Sequence, residues 1–381
     1  MYLSIAVICS LALILFLLAR DELTKRNYKL CERNFYNWQN IASFMIFGLV
    51  MGVRYNYGAD NIMYIDSYNQ LLNQGTFMRN NYEWGFNRIM EAFVAVDAHF
   101  SLFIGFWASF QIFFIYYCLR KNIYLLPFVA LFLVLGPPFT TISNLMRQCA
   151  AECIFFYLIE YIADKKVVHY IIGVLICALI HKSAIILLPL YWLCQKPKLP
   201  SNPMILAAIV VICTLIGLAP TWVNSFTRLE KMLAFLDYDI YAENINTIVD
   251  EANLNMAWGP SRAGKWLLDL FSILIAPKAM KYLKMGKQFK IYFFLYFFGV
   301  CLYNLLANTS QIFFRPIYYL LDLRIFIVPI SLYYLYKCRK SIAFLGYSIL
   351  SFYLTIYLSI KPYIDGVGDR SYEVYKFYFL Q

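Results

Sequence analysis

The sequence predicts an all-α, polytopic integral membrane protein with about 12 transmembrane helices and two longer loops on one side. Three observations carry that expectation. Hydrophobic residues fill 62% of the 381 positions and charged residues only 14%, at a mean hydropathy of +0.60. A soluble domain of this size has too little interior to hide that much apolar surface. The apolar residues come in continuous runs near the length of a membrane-crossing helix, without the alternation a β-barrel needs. Finally, the connecting loops alternate in charge along almost the whole chain, as they do when basic cytoplasmic loops set the orientation.

The runs cover residues 2–19, 38–53, 100–119, 124–139, 148–163, 167–180, 184–194, 204–219, 265–281, 290–308, 316–336 and 342–360. No basic residue precedes the first, and Arg20, Lys25, Arg26, Lys29 and Arg33 follow it. That order is the reverse of a secretory signal, so the run is expected to remain as a span with its N-terminus outside. Alternation then puts Arg120 and Lys121 in the cytoplasm, followed by Lys165 and Lys166, and by Lys196 and Lys198. The same side receives Lys278, Lys281, Lys284, Lys287 and Lys290, then Lys337, Arg339 and Lys340. These loops hold 19 of the 33 basic residues, and the C-terminus falls outside. The runs at 167–180 and 184–194 are short enough to be tilted or re-entrant. Trp38, Trp192, Trp222 and Trp266 sit near run ends, where interfacial tryptophans belong.

The net charge of +11 is dispersed among short loops and forms no basic domain, so nucleic acid is not an expected partner. Nearly all of the ten cysteines lie in apolar runs and read as small buried residues. Cys149 and Cys153 share a helix face, but no histidine is near them in sequence, so no metal site is expected. There is no internal repeat and no glycine-rich phosphate loop. The expectation is one multi-pass membrane domain over residues 1–381, with outer loops at 54–99 and 220–264. In the first loop Asp60 is placed to cap a short amphipathic helix reaching Leu72, and 83–96 reads as another. The second carries an amphipathic stretch at 226–236. Long ordered loops are often binding elements.

Polar residues gather at the outer ends of separate runs. Arg54 follows the second run, with Tyr55, Tyr57, Gly58, Asp60 and Tyr64 after it. Arg147 and Gln148 open the fifth, His181, Lys182 and Ser183 join the sixth and seventh, and Arg315 opens the eleventh. Arg324 lies roughly 13 Å deeper than Arg315 at 1.5 Å per residue. An intramembrane arginine faces a cavity or a partner, here Asp269 or Asp322; a structural ion pair and a substrate role are both open. By helical phase Arg315 and Asp322 share a face and Arg324 points away from both. Arginine binds phosphate oxygens bidentately and keeps its charge. Tyr55, Tyr57, Trp84 and Phe86 offer stacking surfaces for sugar rings, and Glu83, Asp60 and His181 offer acceptors for a hydroxyl proton. Histidine titrates near neutrality and Lys182 favours its neutral form, which suits a base, but Glu83 and Asp60 remain alternatives. Together these groups suggest glycosyl transfer from a lipid pyrophosphate on the outer face.

At these residues the chain resembles the EpsG family of the Wzy-type polysaccharide polymerases. The resemblance rests on Gly52-Val53-Arg54-Tyr55-Asn56-Tyr57-Gly58-Ala59-Asp60 with Tyr64, and on Tyr82-Glu83-Trp84-Gly85-Phe86. It continues in Arg147-Gln148, in His181-Lys182-Ser183-Ala184 ahead of Pro189, and in Arg315 before a tyrosine-rich helix. It implies a multi-pass enzyme of the bacterial plasma (inner) membrane that joins oligosaccharide repeat units, each carried on undecaprenyl pyrophosphate, into O-antigen, capsule or exopolysaccharide. The lipid-linked oligosaccharide is then both donor and acceptor, and the surrounding lipids and a chain-length regulator protein are the implied partners. No metal or other cofactor is implied. Arg54, Arg147, Gln148, Arg315, Arg324, Tyr64, Trp84 and Lys182 would bind pyrophosphate or sugar, and His181, Glu83 or Asp60 would serve catalysis. A flippase or exporter of the same lipid would need polar residues through the membrane depth and internal symmetry, and the chain shows neither. A membrane O-antigen ligase or acyltransferase would use similar outer groups.

Overall fold

In a computed structural model the described residues are 2–21, 35–58, 60–77, 82–219, 259–306, 314–367, 371 and 374–380. The amphipathic stretch expected at 226–236, most of the loop 220–264, Trp222, and the basic residues Lys25, Arg26, Lys29 and Arg33 lie outside them.

Among the described residues the apolar runs lie mostly in helix, and those at 124–139, 184–194 and 316–336 are each broken into separate pieces. In chain order the helices begin with α1 (Tyr2–Ala19), α2 (Trp38–Gly52), α3 (Asn61–Gln74), α4 (Trp84–Val94) and α5 (Phe100–Cys118). Then come α6 (Leu126–Leu135), α7 (Pro137–Asn144), α8 (Met146–Ala163), α9 (Val167–Ile180), a 3₁₀ stretch at Lys182–Leu187 and α10 (Leu190–Leu193). The remainder are α11 (Pro203–Gly217), α12 (Pro260–Tyr282), α13 (Lys287–Leu305), α14 (Phe314–Leu321), α15 (Arg324–Lys337) and α16 (Ser341–Ile364). Four stretches are long and apolar enough to cross a bilayer: Tyr2–Ala19, Phe100–Cys118, Phe314–Lys337 and Ser341–Ile364. A fifth is the pair Ile123–Leu135 and Pro137–Asn144, bent by 62°. The fold is that of an all-α polytopic membrane protein.

The bend has a local cause. Gly136 precedes Pro137 and Pro138, and a residue before proline is driven out of the helical region. Gly136 is extended (φ −99°, ψ −179°), and its carbonyl accepts from the Thr355 hydroxyl at 3.0 Å. The run at 124–139, expected as one helix, is therefore two.

The chain divides into two compact units. The first comprises Met1–Gln195 with Val328–Gln381, and the second Lys196–Ile327. In the first, α2 packs most extensively on α5, through small residues. A Cβ on Gly52 would lie 2.4 Å from the Ser101 carbonyl, and one on Gly48 would lie 2.8 Å from that of Gly105. Such close backbone approach is how helices associate where lipid supplies no hydrophobic drive. α5 also lies on α8, and α8 on α9. At one end of this pair Arg120 and Lys121 both bind Glu160, at 2.5 and 3.0 Å. In the second unit α13 packs against α11 and α14, with Gly217 close under the Asn304 carbonyl.

Candidate functional site

The polar residues of the first unit converge on Glu83. It precedes α4 in an extended conformation, yet its side chain makes no cap bond to that helix. Its carboxylate is turned instead towards two other segments. Oε2 accepts from Arg147 Nη1 at the start of α8. Oε1 accepts from the Lys182 backbone N–H at 3.0 Å and lies 3.2 Å from His181 Nδ1. The Glu83 side chain is only 9% exposed. Burial alone would push its pKa up, but the His181 hydrogen bond, the Arg147 and His181 charges and the Lys182 N–H outweigh it and hold Glu83 at about 2. A carboxylate so held is an acceptor only, so Nδ1 of His181 donates. In the neutral ring the lone pair then lies on Nε2.

Local structure explains the meeting. A Cβ on Gly85 would stand 2.8 Å from the Leu179 carbonyl. Glycine thus lets the first turn of α4 press on the last turn of α9, beside His181. His181 ends α9, its N–H closing on the Cys177 carbonyl at 2.8 Å and its backbone turning extended (φ −151°, ψ 110°). Arg147 lies just past the α7–α8 break at Leu145. Its guanidinium is 4.5 Å from the Tyr82 ring centroid and 5.7 Å from that of Phe86, and its Nε donates to the Tyr64 hydroxyl at 3.5 Å.

Arg54 plays another part. It is 2% exposed, and its Nη2 donates to the Ser143 carbonyl at 3.0 Å. Its Nε has no hydrogen-bond partner among the described residues. Burial draws its pKa down to about 10, against the opposing influence of Tyr375, Tyr57 and Tyr64, so it stays charged at neutral pH. The rest of the motif grips the same break. Gly58 has φ +92°, and a Cβ there would meet the Ser143 carbonyl at 2.4 Å, so only glycine fits. The Asp60 N–H donates to Asn144 Oδ1 at 3.0 Å. Asp60 stands at the N-cap position of α3, as expected, but its side chain makes no cap bond.

Other expected site residues separate. Gln148 is buried and donates to Glu152 at 2.8 Å inside α8. Tyr64 is buried beside Arg147, whereas Trp84 is 62% exposed with the Arg88 guanidinium 5.8 Å from its ring. Tyr57 and Phe86 are packed in the core and are not available as sugar platforms. Phe86 stacks on Trp107 instead.

Arg315 and Arg324 belong to the second unit. Arg315, near the start of α14, is half-buried. Arg324 lies 3.7 Å from Asp269 and 3.8 Å from Asp322. Asp269 also accepts from the Tyr296 hydroxyl at 2.7 Å. The phase argument that turned Arg324 away from Asp322 fails because α14 ends at Leu321 and α15 begins at Arg324. The turn between them resets the phase and folds the two side chains together. Sequence reasoning quoted Tyr82 in a motif but gave it no role, and passed over Asn144 and Glu152. Glu152, an acid inside an apolar run, carried the one available signal.

A family model described as EpsG matches residues 37–376. The chain belongs to the EpsG family. No curated protein and no solved structure matches it. Membership points to a polysaccharide polymerase-like, glycosyltransferase-like role in general, in a multi-pass membrane protein. The motif stretches of this EpsG-family protein in its first unit are the ones that meet at Glu83 and at the α7–α8 break. Among the described residues no three His, Cys, Asp or Glu side chains are grouped to hold a metal ion.

Proposed function

We propose that this EpsG-family protein polymerises lipid-pyrophosphate-linked oligosaccharide repeat units on the outer face of the bacterial plasma membrane. The observation that carries the reading is the Glu83 carboxylate, which draws Arg147, His181 and the Lys182 amide from separate segments into one half-buried cluster. A histidine oriented by an ionised carboxylate and set beside an arginine is the equipment for hydroxyl activation next to a phosphate leaving group. His181 Nε2 takes the proton of the acceptor hydroxyl as its oxygen bonds to the anomeric carbon of the growing chain. The bond from that carbon to the pyrophosphate oxygen breaks, and undecaprenyl pyrophosphate leaves with the electron pair. Arg147 stabilises the charge that develops there. Glu83 is the orienting group, because a carboxyl group at about 2 is too weak a base for a neutral sugar hydroxyl. Arg54 holds the α7–α8 break that aims Arg147, and Arg324 serves the fold through its two aspartates. Exposed Trp84 is the sugar-stacking surface.

The outer placement rests on charge. Arg120, Lys121 and Glu160 lie at the ends of α5 and α8 opposite to His99 and Arg147, matching the basic inner face and the mixed outer face. Tyr375 meets Ser4 at the start of α1, and Tyr378 meets Val53 at the end of α2. Both chain ends thus share the side of Arg54, which supports an outer location for both.

The test is a polymerisation assay on lipid-linked repeat units from a strain lacking this gene. His181→Gln keeps hydrogen bonding but cannot accept a proton at neutral pH, and Arg147→Lys keeps charge but loses the fork. Each is expected to lower the rate on the order of a hundredfold with protein level intact. Full-length polymer from both variants would sink the assignment.

A further inference from the structure

The segment 374–379 is laid across the site loop by a set of contacts that the proposed chemistry does not use. Arg54 and Phe377 form an antiparallel bridge. The Tyr55 N–H donates to the Lys376 carbonyl at 3.0 Å, and the Tyr378 N–H to the Val53 carbonyl at 2.9 Å. Tyr375 is the centre of the strap and is 1% exposed. Its hydroxyl donates to the Val50 carbonyl in the last turn of α2, and its N–H donates to Ser4 Oγ at 3.0 Å. Its ring lies 5.6 Å from that of Tyr57.

A three-residue ladder of this kind is local, and alone it would be marginal. It is stabilised here because Tyr375 fills a buried position between α1 and the loop. Its consequence travels along a contiguous path. Val53, Arg54 and Tyr55 are held by the strap; Arg54 and Gly58 grip Ser143; Ser143 and Asn144 end α7; and Arg147 stands three residues beyond, with its guanidinium on Glu83. Removing the strap frees the backbone on both sides of Arg54 and takes away the ring packed on Tyr57. The arginine that meets Glu83 would lose its fixed origin, although it touches no strap residue itself.

We propose that Tyr375 and the strap 374–379 are positioning elements of the outer site, acting on Arg147 through Arg54 and the α7–α8 break. The proposal rests on the functional reading above for its assay but on separate contacts for its geometry. A positioning role acts on turnover rather than on substrate binding or abundance, because misplacement of a reacting group by about 1 Å can cost a hundredfold.

The test uses the full chain in lipid nanodiscs, with repeat-unit lipid from a strain lacking this gene. Tyr375→Phe keeps the ring and loses the bond to Val50, and a chain ending at Gly366 loses the strap altogether. We expect kcat to fall several-fold in the first and more than tenfold in the second, with KM within threefold and Tm within a few degrees of the unaltered protein. Addition of a synthetic peptide of residues 371–381 should restore kcat to the shortened chain. In a double-mutant cycle, Tyr375→Phe should add little to Arg54→Lys, since both act through one path. Unchanged kcat in Tyr375→Phe, or additive losses in the cycle, would overturn the proposal, even where the shortened chain fails to fold. His181→Gln in the same assay separates the two readings. If it is fully active while Tyr375→Phe is impaired, the histidine assignment fails and the strap stands.

Discussion

Replacing Glu83 by glutamine tests the centre of the arrangement with almost no change in shape. Glutamine can still accept from the Lys182 N–H at Oε1, but it carries no charge for Arg147 and can no longer be an acceptor at both ends. The size of the effect follows from the structure. Glu83 is held at about 2 against an ordinary value of 4.5, and each unit is worth about 1.4 kcal/mol. The surroundings therefore favour the charged form by ~3 kcal/mol, and that preference is what keeps Arg147 and His181 in register. Lost in full at the transition state, it corresponds to about a hundredfold in rate. The expected result for Glu83→Gln is a fall in kcat of that order with intact yield, measured on purified protein with lipid-linked repeat units. The pH profile then separates the two bases. With His181 as the base, the rate falls on the acid side as the imidazole takes up a proton, well above the pH at which Glu83 does. With Glu83 as the base, the rate would stay level until pH falls towards about 2. A level profile, or a Glu83→Gln variant within threefold of the unaltered protein, refutes the argument.

Four further outcomes are expected. Gly85→Ala should drive α4 from α9, because the new Cβ would meet the Leu179 backbone at 2.8 Å; activity should fall at least tenfold while Gly75→Ala, as a reference for α-helix C-cap strain, lowers only stability. The depressed carboxyl of Glu83 makes stability depend on pH: its contribution is full above about 4.5 and is lost as pH falls through about 2, so the gap in Tm between the unaltered protein and Glu83→Gln should close on acidification, and a gap that widens would contradict the ion cluster. Asp269→Asn should destabilise the fold by about 3–5 kcal/mol by leaving Arg324 short of a buried partner, read as loss of folded protein in detergent. Cysteine labelling at Gly75 in a cysteine-free chain checks orientation, since protection from an impermeant outer reagent would overturn the outer placement.

The fold class was legible because membrane helices are written in local composition. The runs at 2–19 and 167–180 match α1 and α9 to the residue, since a lipid environment demands that each helix satisfy its own backbone. Helix breaks were harder. Gly136-Pro137-Pro138 is a visible local signal for the bend. The turn at Asp322 and Leu323 has no such signal, and the helical phase carried across it was therefore wrong for Arg324.

The site divides in the same way. The sequence by itself determined which residues are chemically costly near the ends of the helices: Arg54, Glu83, Arg147 and His181 all stand out against an apolar background. It could not determine their partners. Glu83 and His181 are 98 positions apart and Arg54 and Ser143 are 89 apart, so only packing brings them together. Tertiary structure decided that Glu83 is held by Arg147 and His181, that Arg54 is buried against a carbonyl, and that Phe86 and Tyr57 are core residues. The physical reason is that hydropathy along the chain records how each residue meets lipid or water, whereas the role of a polar side chain depends on the charges and carbonyls that other helices bring to within about 3 Å of it.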